Sequence, residues 1–285
     1  MPKLELSSEE LQKILNDYED GMSLADVGQK YHHNANTLKK YFLEHNIYVR
    51  SRVEGLRASK KKQESDNKKR IYYVNDSFFS NQNSNMAYLL GFIMADGNVS
   101  KRDNRLQIVL QEQDKDFLES IYQKIGGSPV TSYLVKNKYP TVRWQCMNGQ
   151  IKRDLAEYGI VPNKTGLAEI PKKLNKIFYP DFIRGYFDGD GSIYEDNSIG
   201  LSFVSHNIEI LQDILNFFEE NNIPKVSIYT DYRGNINYYI RYRSQAALKI
   251  YDIFYYNSSC WCLPRKFKKF TDIIQKRKNS TRLCT

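Results

Sequence analysis

The chain has 285 residues, a formal net charge of +9 and 41% hydrophobic residues, enough for a core beneath a basic surface. No apolar run approaches the length that spans a bilayer, and the first residues lack the charged-then-apolar pattern of a signal peptide. We therefore expect no membrane partner. The positive charge favours binding to a polyanion such as nucleic acid.

The four cysteines have neither the spacing of a zinc site nor that of a disulfide framework. Cys260 and Cys262 are too close together for a standard zinc pair, and no second pair matches them. We therefore expect reduced thiols and a reducing compartment. That compartment would be the cytoplasm of a bacterial or phage-infected cell, or an organelle matrix if the host is eukaryotic.

Residues 1–50 predict a small all-α domain of three short helices. Ser7 with Glu10 forms a capping box, and Ser23 and Asn34 are suited to cap the second and third helices. The stretch GMSLADVGQKYHHNANTLKKYF resembles the helix-turn-helix of resolvases and transposases, whose last helix enters the major groove. The alternative is an interaction module, because residues 1–50 carry no net positive charge. The candidate DNA contacts at the exposed start of the third helix are Asn36, Thr37, Lys39 and Lys40.

Residues 51–75 predict a basic linker, because they are rich in charge and show no sustained periodicity. Its basic side chains would either follow DNA phosphates or remain solvated in a tether without contacts. The candidate phosphate contacts are Lys60, Lys61, Lys62, Lys68, Lys69 and Arg70.

Two matching stretches follow, YLLGFIMADG (residues 88–97) and FIRGYFDGDG (residues 182–191). Each predicts a short apolar helix that ends in Asp-Gly, where glycine would take a left-handed cap. A carboxylate is unusual there because the helix dipole is already negative at that end. The matching ends predict an internal duplication with a paired acidic site, Asp96 and Asp190. The small residues one turn apart are Gly91 and Ala95 in the first helix and Gly185 and Gly189 in the second.

The same order of elements is predicted after each stretch. The alternating RLQIVLQ indicates a strand with one buried face, and a helix, a pair of strands and a second helix follow it. IGLSFVS, IEILQDILNFFEENNI, KVSIYTD, INYYIRYRS and QAALKIYDIFYY repeat that order. With short strands at 97–100 and 191–194, each repeat is αββαββα. We predict an α+β fold of two pseudo-symmetric repeats, at residues 76–178 and 179–285.

Small residues at i and i+4 allow two helix backbones to approach closely. If the two predicted helices pack along these residues, Asp96 and Asp190 emerge side by side. Adjacent carboxylates repel each other, and a divalent cation such as Mg²⁺, which prefers oxygen ligands, removes that repulsion. Paired metals beside carboxylates activate water and stabilise the leaving oxygen of a phosphodiester.

LLGFIMADG and IRGYFDGDG resemble the two signature motifs of the LAGLIDADG homing endonucleases in their single-chain, two-repeat form. The resemblance covers residues 76–275, and some members of the family carry an added helix-turn-helix. It implies saddle-shaped antiparallel sheets, with the motif helices forming the interface between the repeats. Met94 stands where the motif consensus has Asp, whereas Asp188 keeps it, and the family does not use that position as a metal ligand.

The resemblance also implies the chemistry of the site. The last aspartate of each motif, Asp96 and Asp190, would bind two or three shared Mg²⁺ ions. Ala95 and Gly189, which precede them, are further candidate metal ligands.

One basic residue per repeat is expected near the scissile phosphate. VPNKTGLAEIP suggests Lys164 and CLPRKFKKF suggests Lys266, each able to polarise water or to stabilise charge on the phosphate. The alternatives are a surface-loop lysine and one lysine among several in a basic helix. Gln113 and His206 occupy matching positions after the first strands, where a polar residue would hold water; Gln113 is the preferred catalytic candidate.

Polar side chains at i, i+2 spacing on strands suit a groove-reading surface, and each has the alternative of a solvated strand residue. These candidates are Arg105, Gln107, Arg143, Gln145, Arg241 and Arg243.

The expected function is therefore a site-specific, Mg²⁺-dependent endonuclease that makes a double-strand break in DNA. We expect a monomer in which each aspartate cuts one strand across the minor groove. Two alternatives stay open: an RNA maturase that assists intron splicing, and a DNA-binding transcriptional regulator that does not cleave.

Overall fold

The computed structural model describes residues 4–51, 54–55, 72–136, 138–164, 166–232, 234–256 and 261–282, with only the backbone of 278–282. The chain divides into two compact units, Met1–Ile71 and Tyr72–Thr285. The predicted phosphate contacts of the linker lie outside the described residues. Among the helices that are described, none has the length and apolarity needed to cross a membrane.

Within residues 4–51, the first unit contains three short helices that begin where the sequence predicted. They are α1 (Ser8–Glu19), α2 (Leu24–Lys30) and α3 (Ala35–Glu44). The side chains of Ser7, Ser23 and Asn34 each accept a backbone N–H at the start of a helix. Gly28 permits a tight turn between α2 and α3, since a Cβ there would lie 2.5 Å from the carbonyl oxygen of His33. The core of this unit is formed by Ile14, Tyr18, Val27, Leu38, Tyr41 and Phe42.

The second unit runs twice through the predicted order αββαββα. The first repeat consists of α4 (Ser84–Asp96), β1 (Asn98–Val99), β2 (Arg105–Gln111), α5 (Lys115–Ile125), β3 (Ser128–Val135), β4 (Tyr139–Met147) and α6 (Gly149–Glu157). The second consists of α7 (Tyr179–Asp190), β5 (Ser192–Glu195), β6 (Ile199–Ser205), α8 (Ile208–Glu220), β7 (Tyr229–Asp231), β8 (Asn237–Arg243) and α9 (Ser244–Phe254). A further helix, α10 (Pro264–Arg282), follows and was absent from the predicted outline.

Each repeat contributes one antiparallel four-stranded sheet, in the order β1-β2-β4-β3 or β5-β6-β8-β7. Alternation along β2 and β4 places Ile108 and Trp144 in the core and turns Gln107 and Gln145, which lie opposite each other, to the other face. The α+β class, the two antiparallel sheets and the preceding helical region were therefore correctly predicted.

The motif helices α4 and α7 pack against each other at very short range. A Cβ on Gly91 would lie 1.9 Å from the carbonyl oxygen of Phe182, and one on Gly185 would lie 1.9 Å from that of Tyr88. No real Cβ tolerates such a distance, so glycine at both positions is a condition of this contact. The predicted packing along small residues is confirmed.

The reason for the glycine after each motif helix differs from our prediction. Gly97 has φ −74° and Gly191 has φ −88°, both extended, so the left-handed cap predicted there was wrong. Space is the constraint instead. A Cβ on Gly97 would lie 2.6 Å from Cγ2 of Ile93, and one on Gly191 would lie 2.2 Å from Cδ2 of Phe187.

Candidate functional site

The two aspartates stand at the C-terminal ends of α4 and α7, which the glycine contact brings together. A Cβ on Gly189 would lie 3.5 Å from Oδ2 of Asp96, so the second helix end approaches the first carboxylate directly. Surrounding protein and the charge of Asp96 raise the pKa of Asp190 to about 6. Partial burial also raises the pKa of Asp96, against the effect of nearby lysines. Both side chains keep an exposed portion, so a ligand from solvent can reach them.

Lys266, at the start of α10, is buried against the end of α7. Its ammonium group donates to the carbonyl oxygens of Phe187 at 2.7 Å, Gly191 at 2.6 Å and Gly189 at 3.4 Å. The helix dipole concentrates negative charge at these carbonyls, so a cation there is favourable. Burial nevertheless lowers the pKa of Lys266 to about 8.

Lys164 takes the corresponding place in the first repeat, on the loop after α6. Its Nζ lies 3.4 Å from the carbonyl oxygen of Ala95, just as that of Lys266 lies 3.4 Å from Gly189. Burial lowers the pKa of Lys164, while the charges of Asp190 and Asp96 act to raise it. We use the name carboxylate–lysine cluster for the four side chains that meet here: Asp96, Asp190, Lys164 and Lys266.

The donor set of this cluster fits a hard divalent cation. Two carboxylates and the carbonyls of Ala95 and Gly189 offer oxygen atoms alone, although both carbonyls already accept from a lysine. Within the described ranges, His, Cys, Asp and Glu form no group of three or more that could hold a metal. Mg²⁺ suits such a sparse set, because it binds through one or two carboxylates and completes its shell with water and phosphate oxygens.

A groove of about 760 Å³ opens beside Asp96 and is also lined by Gln113 and Arg265. Gln113 donates to the side-chain oxygen of Gln111 at 2.6 Å and is exposed. On the other side, His206 is exposed, and its charge acts on the pKa of Asp190. The two predicted water-holding residues therefore flank opposite members of the aspartate pair.

One contact in this groove was missed from the sequence. Nε of Arg265 lies 3.0 Å and 2.9 Å from the two carboxylate oxygens of Asp114, which is buried at the start of α5. Both residues line the groove, and the pair joins α10 to the first repeat. Asp114 directly before a helix looks like an ordinary cap in the sequence, and Arg265 is one residue of a basic run, so neither carried a signal.

All six predicted groove-reading residues lie on the sheet faces that point away from the core. Ser202 and Arg241 in the second sheet form the pair that corresponds to Gln107 and Gln145 in the first. Arg241 lies over the ring of Tyr239 at 4.6 Å. The remaining three are positioned as follows: Arg105 lies 3.9 Å from Asp103, Arg143 lies 5.5 Å from the ring of Tyr133, and Arg243 lies 3.4 Å from Asp196.

In the first unit, the predicted DNA contacts lie together on one exposed surface. The side chains at the start of α3 are exposed on the face opposite its buried Leu38 and Phe42. These exposed residues are Asn36, Thr37, Lys39 and Lys40.

Comparison with known proteins finds the same domain family in both repeats. Residues 83–143 and 178–252 match the model of the LAGLIDADG-like domain. No curated protein matches the chain. Among solved structures, the LAGLIDADG homing endonuclease I-GzeII in complex with its DNA target is 15% identical, with 72% of this chain and 94% of that chain covered at TM-score 0.46.

Two further solved structures are similar. The homing endonuclease I-WcaI bound to its DNA recognition sequence is 16% identical, with 68% of this chain and 90% of that chain covered at TM-score 0.48. I-SmaMI bound to uncleaved DNA target in the presence of calcium ions is 17% identical, with 70% and 93% covered at TM-score 0.45. The family match falls separately on the two repeats, and each matched segment contains its motif helix. The two repeats are therefore LAGLIDADG-like domains joined in a single chain.

Proposed function

We propose that the protein is a site-specific endonuclease that hydrolyses one phosphodiester bond in each strand of duplex DNA, with Mg²⁺ as its cofactor. The observation that carries this proposal is the carboxylate–lysine cluster at the paired ends of α4 and α7, in a chain of this family. Each repeat contributes the two groups that the reaction would require, which are a carboxylate to bind metal and an adjacent cation.

Asp96 and Asp190 would hold the metal, with the carbonyl oxygens of Ala95 and Gly189 as further ligands. Bound Mg²⁺ would activate water and stabilise the leaving oxygen. Burial and the charge of Asp96 together raise the pKa of Asp190, so the two carboxylates lie close enough to repel each other. Since the cation relieves their repulsion, the site should bind it more tightly than either carboxylate would alone.

Lys164 and Lys266 would act on the two scissile phosphates. An ammonium group held in place near the reacting bond stabilises the charge that builds on the phosphate oxygens. Because burial lowers the pKa of Lys266 to about 8, a fraction of it is neutral near physiological pH and able to accept a proton from water. Gln113, and His206 on the other side, would orient the attacking water.

The sheet faces and the first unit would supply the grip on DNA. Arginine and glutamine side chains can hydrogen-bond base edges in the major groove, and the charge of +9 would strengthen binding to phosphates. The proposed readers are Arg105, Gln107, Arg143, Gln145, Arg241 and Arg243. Asn36, Thr37, Lys39 and Lys40 would extend the contact as a helix-turn-helix. Because one chain carries both aspartates, a monomer would suffice, and its target need not be palindromic.

Cleavage of a selected target tests this proposal. Duplexes would be selected from a randomised pool by the Asp96→Asn/Asp190→Asn double variant and cloned into a plasmid. Wild-type protein with Mg²⁺ should linearise that plasmid, and chelation by EDTA should stop it. Asp96→Asn or Asp190→Asn should each slow linearisation by at least about 100-fold. The control is Asp116→Asn, which changes an exposed aspartate on α5 and should cleave normally.

The other outcomes separate the alternatives. Undiminished cleavage by either aspartate variant would refute the assigned metal ligands. Tight binding to the selected duplex without cleavage would favour a regulator, for which the exposed start of α3 is the supporting feature. Preference for structured RNA over any duplex DNA would favour a maturase.

A further inference from the structure

One face of the second motif helix is polar although it is completely buried. Asp181, Arg184 and Asp188 lie at i, i+3 and i+7 on α7, and each is 0% exposed. We call these three residues the buried ladder. The equivalent positions of α4, aligned through Gly91 and Gly185, are apolar. They are Ala87, Leu90 and Met94.

Arg184 connects the ladder to the backbone at the end of α9 and at the start of the approach to α10. Its guanidinium group donates to Asp181 at 2.7 Å, to the carbonyl oxygen of Phe254 at 2.6 Å and to that of Trp261 at 2.8 Å. Phe254 ends α9 and Trp261 lies just before α10. One side chain therefore binds the backbone both at the end of α9 and just before α10.

Asp188 binds the backbone directly before α10. Its Oδ2 accepts the backbone N–H of Leu263 at 2.7 Å and the hydroxyl of Tyr88 on α4 at 2.8 Å. The carbonyl oxygen of Leu263 in turn accepts the N–H of Lys266 at 3.0 Å, in the first turn of α10. An unbroken series of hydrogen bonds thus runs from α7 to the backbone of the lysine in the carboxylate–lysine cluster.

We propose that the buried ladder positions Lys266 for the reaction; its effect on cleavage rests on the function proposed above. Burying ionic groups is costly, and apolar replacements of similar volume are often equally stable. The first motif helix packs well with apolar residues at these positions, so stability alone does not require the polar set. The ladder instead fixes the backbone that leads into α10, because it binds two carbonyl oxygens and one N–H of that backbone. Lys164 has no such support from Ala87, Leu90 or Met94, so the two strand cuts depend on different structures.

The test replaces the ladder by its counterpart in the first repeat, as Asp181→Ala/Arg184→Leu/Asp188→Met. Hydrogen exchange followed by mass spectrometry reports how firmly the backbone around Lys266 is held, and it does not depend on DNA cleavage. In the variant, the amides of Leu263 and Lys266 should exchange at least about tenfold faster, whereas those of α4 and α5 should not change. The matched control is Asp213→Asn, another carboxylate that accepts a backbone N–H, that of Ile170. It should leave exchange in residues 261–267 unaltered.

The second readout is cleavage of a selected duplex labelled differently on each strand. The ladder variant should slow by about tenfold the same strand that Lys266→Met slows, and it should leave the other strand within about twofold. Combining the ladder variant with Lys266→Met should add little, because both act through one side chain. The single variant Asp188→Asn keeps an oxygen for the N–H of Leu263, so its cleavage of that strand should be close to the wild-type rate.

The outcomes are distinct. Unchanged exchange at Leu263 and Lys266, or equal slowing of both strands, would overturn the inference. If the triple variant does not fold, Asp188→Met compared with Asp188→Asn decides the question by the same two readouts. If the wild type cleaves no DNA, the proposed function fails, and the exchange measurement alone still decides whether the ladder holds the lysine.

Discussion

The two repeats agree where their helices meet and differ where their lysines are held. Gly91 and Gly185 make the same contact, with the same 1.9 Å constraint, from opposite sides. Lys266 is buried and donates at 2.6 and 2.7 Å, whereas Lys164 is partly exposed and donates to the carbonyl oxygen of Ala95 at 3.4 Å. The shared part creates a paired site, and the different part makes its halves unequal. A duplicated fold can thus be symmetric in its scaffold and asymmetric in its chemistry.

The largest expected effect comes from adding one methyl group at the shared contact. In Gly91→Ala or Gly185→Ala, the new Cβ would meet a backbone carbonyl of the facing helix, which no rotamer change relieves. We expect each substitution to lower the free energy of unfolding of the second unit by about 3 kcal/mol, measured in urea. The two losses should be similar, because the two contacts are equivalent.

A third glycine provides the control for this pair. In Gly149→Ala, at the start of α6, the new methyl meets only side-chain atoms of Asn104 and Arg153, at 3.2 Å and beyond. It should change stability by less than about 0.5 kcal/mol. Wild-type stability in either of the first two variants would contradict the close approach of the motif helices at that position.

The lysines test the part in which the repeats differ. Lys266→Met removes a buried ammonium group from the carbonyls at the end of α7 and should cost about 1–2 kcal/mol in urea unfolding. Lys164→Met removes one long contact and should cost less than about 0.5 kcal/mol. Lys268→Met, an exposed position on α10, is the control and should be neutral. Equal losses for Lys164 and Lys266 would mean that the asymmetry has no energetic consequence.

The sequence predicted the symmetric part well, because its signals are local. Small residues one turn apart, followed by Asp-Gly, occur in both motif helices and were sufficient to place Asp96 beside Asp190. Alternation along β2 and β4 likewise identified the outward face. Each of these features is readable within a window of a few residues.

The asymmetric part could not be predicted, because it depends on contacts between distant segments. Asp114 and Arg265 are 151 positions apart, and Asp188 meets Leu263 75 positions later. Asp114, Arg265 and Leu263 are ordinary residues in their own stretches of sequence, and Asp188 matches the motif consensus without indicating which residue it binds. The extended caps at Gly97 and Gly191 were mispredicted for a related reason: the strand that follows each glycine, and not the helix before it, sets the backbone there.

The aspartates give the smallest expected effect, and it concerns the protein without metal. The pKa of Asp190 is raised from 3.8 to about 6 in the folded state. Well below pH 3.8 the group is protonated whether or not the chain is folded, so it contributes nothing. As pH rises towards 6, the unfolded state loses this proton first, and stability therefore falls. Solvent screens the exposed carboxylate, so we expect a loss of about 1 kcal/mol rather than the full value of the shift.

Asp190→Asn should remove this loss, so in EDTA at pH 7 it should unfold at a higher temperature than the wild type while lacking cleavage. Asp96→Asn should stabilise the protein too, because burial raises the pKa of Asp96 and because its charge adds to the effect of burial on the pKa of Asp190. Mg²⁺ should raise the melting temperature of the wild type more than that of either variant, because the cation relieves a repulsion that each variant has already lost. If the wild type in EDTA melts at the same temperature as both variants and is not stabilised by Mg²⁺, the two carboxylates do not interact. In that case the pair at the end of α4 and α7 would be two separate helix ends, and the symmetry of the scaffold would carry no shared site.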